Sequence, residues 1–436
     1  MESELLILGG RLINPGDRMD VFGDVFISGG TIALIGDSRQ AKASKHAQVF
    51  NAHGMIICPG FIDLHCHLRE PGHEEKETIS SGTRAAARGG FTTVCAMPNT
   101  DPPMDSAESL DLLKKKIAME AAIRVLPIGC ITKGRAGDRL VEVGAMEYAG
   151  VIALSDDGDP VRDADIMREA LEYGNTFGLP ITSHCEDIEI SRDGVMNQGT
   201  MAERLGLRGI PAAAEENMVE RDIALAEQTG GHLHVAHVST AGSVELIRRA
   251  RERGVHVTAE VTPHHLTLTE DQVAGEDGKS LNTCAKVNPP LRTEADIKAL
   301  IAGLKEGVID AIATDHAPHA EADKKCSFET AAFGISGLET AFASVMSLYH
   351  EGKIDLITLL SKLTIEPANI IHQKDLGMLE VGAPADITIF DPNAEWIVDP
   401  LAFASRGRNT PLAGKTLKGR VMATIYGGRF RHRVMQ

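Results

Sequence analysis

The feature of the sequence that most constrains the fold is an alternation of apolar runs with segments of helical period through the middle of the chain. Eight such runs end near His67, Asn99, Thr132, Asp157, His184, Val238, His264 and Asp315. Amphipathic segments, for example at residues 105–119, 163–173 and 241–253, lie between them. Eight parallel strands that are each followed by a helix form a (β/α)8 barrel. We therefore predict an α/β protein built on a TIM-type barrel.

The two ends of the chain have a different texture from the middle. Short β-rich runs bounded by Gly or Pro occur at residues 5–14, 24–35, 386–391 and 418–426. The first two suggest a small antiparallel sheet. Because chain termini often lie close together in space, we expect both ends to form one small β-sandwich domain. The predicted boundaries are 1–58 and 379–436 for the two parts of this β domain and 59–378 for the catalytic barrel.

Charge and cysteine content exclude several classes of function. A net charge of −17 over 436 residues would repel nucleic acid and anionic membrane surfaces. No apolar run in the sequence approaches the roughly 18 residues that a transmembrane helix needs. The seven cysteines are odd in number and lack CxxC spacing, which predicts reduced thiols in a cytoplasmic protein. We therefore expect a small-molecule substrate.

Side chains that bind metals gather where the predicted strands end, which is the edge that carries the chemistry in such barrels. His65 and His67 alternate along an extended run and therefore point to the same side. The complete predicted set of metal ligands is His65, His67, Asp157, His184, His237 and Asp315. These nitrogen and oxygen ligands suffice for two divalent ions. Zinc is the expected metal, although the ligand types also suit manganese or cobalt.

Two such ions acidify a shared water and polarise a carbonyl, which is the equipment for hydrolysing an amide. Asp315 would bind one ion and also take up and return the proton of that water, as general acid and base. One carboxylate shared between the two ions, together with a shared water, would complete both sets of ligands.

Other histidines receive different interpretations. His232 and His234 lie deeper in the sixth predicted strand and are interpreted as structural residues. For His264 and His265 we expect a supporting role outside the ligand set, because the ligand set is already full.

Eight motifs, in this order along nearly the whole chain, resemble the amidohydrolase superfamily and more narrowly the bacterial class I dihydroorotases. They occupy residues 59–72, 96–100, 155–158, 183–186, 237–242, 288–292, 313–319 and 333–340. The resemblance implies the six metal ligands named above. It also implies substrate contacts at His67, Arg69, Asn99, Asn288, His319, Phe333 and Gly334. Many relatives bridge their metals with a carboxylated lysine, but residues 150–157 contain no lysine, as in the class I subgroup. The resemblance therefore implies Asp157 as the bridge between the metals, with Asp156 as the alternative.

The function implied by the resemblance is the reversible cyclisation of N-carbamoyl-L-aspartate to L-dihydroorotate and water, in pyrimidine biosynthesis. A hydroxide held between two metal ions would attack the ring amide, with Asp315 as general acid and base. The segment 320–333 is expected to close over the site. Two alternatives remain: another cyclic amidohydrolase, such as an allantoinase or a hydantoinase-like enzyme, or a non-catalytic scaffold for aspartate transcarbamoylase. The expected partners are the substrate, further copies of the chain in a homo-oligomer, and aspartate transcarbamoylase as a candidate.

Overall fold

The computed structural model describes residues 4–41, 43–275, 278 and 280–434, which form a mixed α/β fold. Its strands are β1 (Leu5–Asn14), β2 (Met19–Ser28), β3 (Thr31–Gly36), β4 (Gln48–Asn51), β5 (Ile56–Pro59), β6 (Phe61–Cys66), β7 (Phe91–Ala96), β8 (Arg124–Pro127), β9 (Leu154–Ser155), β10 (Ile181–Ser183), β11 (Met196–Asn197), β12 (Gly209–Ile210), β13 (Leu233–Val235), β14 (Val257–Val261), β15 (Ala311–Ile312), β16 (Ile387–Ile397), β17 (Thr416–Tyr426) and β18 (Arg429–Arg433).

The helices are α1 (Ile79–Arg88), α2 (Ala107–Glu120), α3 (Val143–Tyr148), α4 (Ala164–Phe177), α5 (Ile188–Ser191), α6 (Thr200–Leu205), α7 (Ala213–Thr229), α8 (Ala241–Glu252), α9 (Pro263–Thr267), α10 (Glu294–Glu306), α11 (Glu321–Lys324), α12 (Ala341–His350), α13 (Leu356–Ser361) and α14 (Ile365–Ile370). Local sequence explains several of their ends. Thr78, Ser106 and Thr293 begin α1, α2 and α10 with capping boxes. Gly178 and Gly230 end α4 and α7 in the left-handed conformation that glycine adopts without strain.

Eight of the strands are parallel and form two sheets in the middle of the chain. One sheet has the order β6-β7-β8, and the other has the order β15-β14-β13-β10-β9. Isolated parallel bridges between Gly129 and Leu154 and between Cys66 and His316 link the two sheets at both of their edges. The helices lie between successive strands along the chain, and their apolar faces pack on these strands in the largest buried core.

The two ends of the chain meet in one eight-stranded sheet with the order β18-β17-β16-β5-β1-β2-β3, and β4 pairs with β1. Strands from the N-terminal part and the C-terminal part therefore share one set of backbone hydrogen bonds. Its own apolar core includes Ile7, Phe50, Ile389 and Ile425. The antiparallel arrangement expected for the runs 5–14 and 24–35 is confirmed, because β2 pairs in antiparallel fashion with both β1 and β3. In addition, β1 pairs in parallel with β4 and β5. The sheet is therefore mixed, because two later strands, β4 and β5, run parallel to β1.

Among the described helices, none combines the length and the apolar character that a membrane crossing requires.

Candidate active site

The six predicted metal ligands lie together at the carboxyl ends of five parallel strands. His65 is in β6, and His67 follows that strand directly. The other four follow strand ends within three residues: Asp157 after β9, His184 after β10, His237 after β13 and Asp315 after β15. All six residues are buried. The fold thus brings together side chains that are up to 250 positions apart in the sequence.

The carboxylate of Asp157 stands between two pairs of imidazole rings. Its Oδ2 lies 3.4 Å from His65 Nε2 and 3.5 Å from His67 Nε2. Its Oδ1 lies 3.4 Å from His184 Nδ1 and 3.3 Å from His237 Nε2. Each oxygen therefore faces a different pair of ring nitrogens, as a bridging carboxylate must.

Asp315 belongs to the first of these pairs. Its Oδ1 lies 3.1 Å from His67 Nε2 and 3.5 Å from His65 Nε2. The ligand atoms of His65, His67 and Asp315 lie within 4.8 Å of one another, as do those of His65, Asp157 and His237. Both groups have the composition and compactness of a site for a divalent cation.

The neighbouring Asp156 points elsewhere. Its Oδ1 accepts hydrogen bonds from the backbone N–H groups of Ile131 (2.8 Å) and Thr132 (3.1 Å). Its Oδ2 accepts a hydrogen bond from the Thr132 hydroxyl. Asp156 therefore ties the loop after β8 to the end of β9, and its carboxylate is already occupied.

Three of the four imidazoles are held through the ring nitrogen that faces away from the centre. His65 Nδ1 lies 2.7 Å from Glu260 Oε1, and His67 Nδ1 lies 2.9 Å from Asn99 Oδ1. His184 Nε2 lies 3.2 Å from Glu186 Oε2. Such partners fix the ring orientation and the tautomer of a metal-binding histidine. The nitrogen that remains on each ring is the one that faces Asp157.

The electrostatics of this cluster favour positive charge among the rings. Burial alone would lower the pKa of His184, but Asp157 and Glu186 raise it to about 10. Burial alone would raise the pKa of the Asp157 and Asp315 carboxyls, but the charge of His65 and hydrogen bonds from neighbouring rings lower both. A bound cation would supply the same compensation and displace those protons.

One further observation indicates that these residues suit a metal ion. His65 Nε2 is a buried ring nitrogen without a hydrogen-bond partner among the described residues. It points into a space bounded by the Asp157 and Asp315 carboxylates, because both lie about equally far from it. A buried polar atom rarely lacks a partner, and a metal ion would supply one.

A cavity of about 310 Å³ opens directly above the cluster. Arg69 lines it and is partly buried, with its Nε donating to Pro318 O at 3.3 Å. Among the described residues that is the one hydrogen bond of this guanidinium, so its remaining N–H groups are available to a ligand. The predicted substrate-contact residues all line this cavity: His67, Arg69, Asn99, Asn288, His319, Phe333 and Gly334.

The hydrogen bonds that these residues already make determine which donors and acceptors remain for a ligand. Asn99 uses its oxygen for His67 and keeps its amide N–H groups, whereas Asn288 donates from Nδ2 to Glu186 Oε2 at 2.8 Å. Burial lowers the pKa of His319 to about 3, so this ring is neutral and carries one hydrogen. That hydrogen goes to Phe333 O at 2.8 Å from Nε2. The other ring nitrogen, Nδ1, is buried and lies 3.5 Å from Asp323 Oδ2, so His319 has no free donor for a ligand.

Backbone conformation marks the same region. Seven non-glycine residues of the described chain have positive φ, and four of them line the cavity: Arg69, Arg135, His237 and Asp315. Left-handed conformations cost energy in residues with a Cβ and persist where the surroundings determine them, typically at functional sites. Gly334 has φ +141°, and a Cβ there would lie 2.7 Å from Ala317 Cβ.

Sequence reasoning missed four residues of the site. Glu260 and Glu186 hold His65 and His184, and Arg135 lines the cavity with its Nη2 2.5 Å from Asp159 Oδ2. Asn409 binds the backbone of His319 and Gly334. A carboxylate within the apolar strand 257–261 was a usable signal for Glu260. The contacts of Asn409 span 75 to 90 positions and leave no local trace.

The other histidines are placed around the cluster. His265 bonds to Thr262 Oγ1 (2.8 Å) and to Pro289 O (2.9 Å), so it fixes the segment that carries Asn288. His264 is buried, and its Nε2 has no hydrogen-bond partner among the described residues. Neither ring is part of the two compact ligand groups of the described chain.

Comparison with known proteins gives a consistent result. A family model described as dihydro-orotase-like matches residues 54–243. A dihydroorotase of Anaeromyxobacter dehalogenans is 49% identical over 432 residues, which covers 99% of this chain and 98% of that protein. A dihydroorotase of Pelotomaculum thermopropionicum is 50% identical over 427 residues, with 98% of each chain covered.

Solved structures with a similar fold include two cyclic amidohydrolases. The L-hydantoinase (dihydropyrimidinase) of Arthrobacter aurescens has a TM-score of 0.86 and 24% identity, covering 99% of this chain and 96% of that one. The dihydropyrimidinase of Brevibacillus agri has a TM-score of 0.85 and 23% identity, covering 99% and 95%. At this identity the similarity concerns the fold alone.

Proposed function

The chain belongs to the dihydroorotase family, and on that premise we propose that it interconverts L-dihydroorotate and N-carbamoyl-L-aspartate at the cavity above Asp157. The chain is an enzyme of the cyclic amide hydrolase class. One observation carries the proposal: a single cavity contains both the Asp157 carboxylate, which lies between four imidazoles, and the available guanidinium of Arg69. The first arrangement suits amide hydrolysis, and the second suits a substrate with a carboxylate.

The fold proposed for this enzyme is a (β/α)8 barrel of residues 59–378. The two parallel sheets and the bridges that link both of their edges support it. We propose further that residues 1–58 and 379–436 form the small β-sandwich domain. The shared eight-stranded sheet and its separate apolar core support that division.

Two divalent cations, zinc in the first place, are the proposed cofactors. One would be held by His65, His67 and Asp315 and the other by His184 and His237, with Asp157 shared between them. When bound, such a pair of ions acidifies a water and polarises the amide carbonyl. The chain's own contribution is to hold the rings in the required tautomers through Glu260, Asn99 and Glu186.

Asp315 is the proposed general acid and base. Its carboxylate is buried at the floor of the cavity, and its neighbours keep its pKa below the usual range, so it is ionised at neutral pH. In hydrolysis the ionised group takes the proton of the attacking water and returns it to the nitrogen that leaves the broken amide. Cyclisation runs through the same group in the opposite protonation order.

Arg69 is the proposed receptor for the substrate carboxylate. A guanidinium presents a planar fork that binds a carboxylate through two parallel hydrogen bonds. Asn99 offers amide donors to the ring carbonyls. His319 and the Phe333–Gly334 backbone form the remaining wall of the substrate cavity.

A substrate comparison tests this proposal. The purified enzyme, loaded with zinc, is assayed with L-dihydroorotate, dihydrouracil and hydantoin, of which only the first carries a ring carboxylate. We expect hydrolysis of dihydroorotate with kcat/KM at least about tenfold above the other two, which corresponds to about 1.4 kcal/mol. Preference for hydantoin or dihydrouracil would contradict the proposal and favour a hydantoinase or dihydropyrimidinase activity.

A further inference from the structure

A chain of buried hydrogen bonds runs from the metal-binding cluster into the molecule. Glu260 Oε1 lies 2.7 Å from His65 Nδ1, and Glu260 Oε2 lies 3.2 Å from His234 Nε2. His234 Nδ1 lies 2.9 Å from Thr258 Oγ1. The Thr258 hydroxyl in turn lies 2.8 Å from His232 Nε2. Four residues in series therefore stand behind one candidate ligand.

The fold places this chain between two adjacent strands. β13 and β14 pair in parallel with His234 opposite Thr258. Glu260 is two residues further along β14, on the same face as Thr258, because strand side chains alternate. The bonds thus run against the strand direction, away from the cavity. His65 and Glu260 are 0% exposed and His234 is 2% exposed, so water does not compete for these partners.

The donors and acceptors of the chain can be arranged in one consistent direction. Each oxygen of the Glu260 carboxylate faces one ring nitrogen, and a carboxylate placed between two imidazoles accepts from both. His65 Nδ1 and His234 Nε2 are then the donors. His234 in turn accepts at Nδ1 from the Thr258 hydroxyl, whose oxygen accepts from His232 Nε2.

The last ring in the series agrees with this direction. Burial lowers the pKa of His232 to about 2, so the ring is neutral and its single hydrogen lies on Nε2. His232 Nδ1 is then a bare acceptor, and it is the nitrogen that lacks a hydrogen-bond partner among the described residues. An unpaired buried acceptor is tolerated more readily than an unpaired buried N–H.

We propose that His234 is a positioning residue of the metal centre: its Nε2–H anchors the Glu260 carboxylate, which in turn holds His65 with Nε2 directed at the metal. This inference rests on the proposed function, because it takes His65 as a ligand. Without the donor from His234, one Glu260 oxygen would lose its partner, and the carboxylate could rotate away from His65. Partners of this kind typically change metal affinity about 10–100-fold when they are removed.

Two near-isosteric substitutions separate positioning from simple space filling. In His234→Gln the side-chain amide nitrogen replaces Nε2 and still reaches Glu260. In His234→Asn the shorter amide occupies the place of Nδ1 and leaves Glu260 Oε2 without its donor. His256→Gln is the matched control, because His256 stacks on His232 at 4.1 Å between ring centroids but lies outside the hydrogen-bonded chain.

The experiment measures competition for zinc between the zinc-loaded full-length enzyme and a chromophoric chelator, with the melting temperature recorded beside it. We expect His234→Asn to weaken zinc retention by about 10–100-fold. His234→Gln and His256→Gln should retain zinc like the wild type. Equal loss in the Gln and Asn variants, or loss in neither, would overturn the positioning role. A wild-type enzyme that holds no zinc would instead contradict the metal centre itself, and this inference with it.

Discussion

Two aspartates that are adjacent in the sequence, Asp156 and Asp157, make entirely different contacts in the structure. The Asp157 carboxylate faces four imidazoles, whereas Asp156 accepts three hydrogen bonds from Ile131 and Thr132. Sequence left both as candidates for the bridge, because neighbouring residues at the end of a strand share the same pattern. The orientation of the two side chains supports Asp157.

Substitution of each aspartate should therefore have a different consequence. We expect Asp157→Ala to lose bound metal and activity. Asp156→Ala should retain metal and lose about 1–3 kcal/mol of the free energy of unfolding, because three donors lose their acceptor. Metal analysis and urea denaturation of both variants check this. If Asp156→Ala lost its metal while Asp157→Ala kept full occupancy, the assignment of Asp157 as the bridge would be wrong.

Arg69 should control affinity for the anionic substrate without affecting the metals. Arg69→Met removes a charge-assisted pair in a buried cavity, so we expect dihydroorotate binding to weaken by about 2–3 kcal/mol. Arg69→Lys, the matched control, should recover part of this loss because it restores the charge without the planar fork. Binding measurements on zinc-loaded enzyme test both. Unchanged affinity in Arg69→Met would remove this residue from the carboxylate site.

The positions of the candidate ligands at strand ends could be predicted from the sequence, because the side chains that bind metals directly follow apolar runs there. His65, His67, His184 and His237 follow apolar runs, so a barrel interpretation alone brings them together. Glu260 was overlooked because the sequence around a charged residue in an apolar strand does not indicate which side chain it binds. Hydrogen bonds such as that between Asn288 and Glu186 join residues 102 positions apart, and their existence depends on side-chain geometry that no local pattern records.

The segment 320–333 connects His319 to Phe333, both of which line the cavity, and two buried lysines attach it. Lys324 donates from Nζ to the carbonyls of Thr283, Lys286 and Ala332. Lys286 donates to the carbonyls of Phe328 and Glu329. Its ammonium also lies 4.4 Å from the centroid of the Phe333 ring. Closure of this segment over the site stays a prediction; within the segment, Phe333 is the residue that lines the cavity.

Lys324 should make the stability of the enzyme depend on alkaline pH. Burial lowers its pKa to about 8, whereas a lysine in the unfolded chain titrates near 10.4. Between these values the unfolded state binds more protons, so the free energy of unfolding should rise with pH, by about 1–3 kcal/mol in all. Urea denaturation from pH 7 to 10.5 measures the slope. Lys324→Met should lack this rise, and an identical slope in that variant would assign the effect to other groups.

At the scale of the whole molecule, the mixed sheet and the parallel strands are joined by buried polar contacts. Arg124 in β8 forms an ion pair with Asp386 at 2.6 Å, and Asp386 also accepts from Gly427 N at 2.9 Å. Gly60, between β5 and β6, donates to the Asp386 carbonyl at 2.9 Å. The pairing of the two ends of the chain was predictable, because both ends contain short β-rich runs bounded by Gly or Pro. The parallel direction of β4 and β5 was not, because it depends on the route of the connections.

The ion pair should contribute to stability and leave catalysis alone. Arg124→Met leaves a largely buried carboxylate with fewer partners, so we expect a loss of about 1–3 kcal/mol in the free energy of unfolding. A double-mutant cycle with Asp386→Asn isolates the pairwise part. Activity per metal-loaded molecule should stay at the wild-type level. Additive losses in the cycle would show that the two side chains stabilise the molecule independently.

We propose that four histidines and two aspartates form a two-metal site at which the dihydroorotate ring is opened. The most direct test of this proposal is a zinc titration of the chelator-stripped enzyme, with ring opening of L-dihydroorotate followed at each addition. We expect no activity without metal and a rise to a plateau at two equivalents of zinc per chain. Full activity of the stripped enzyme, or no ring opening at any zinc content, would contradict the account.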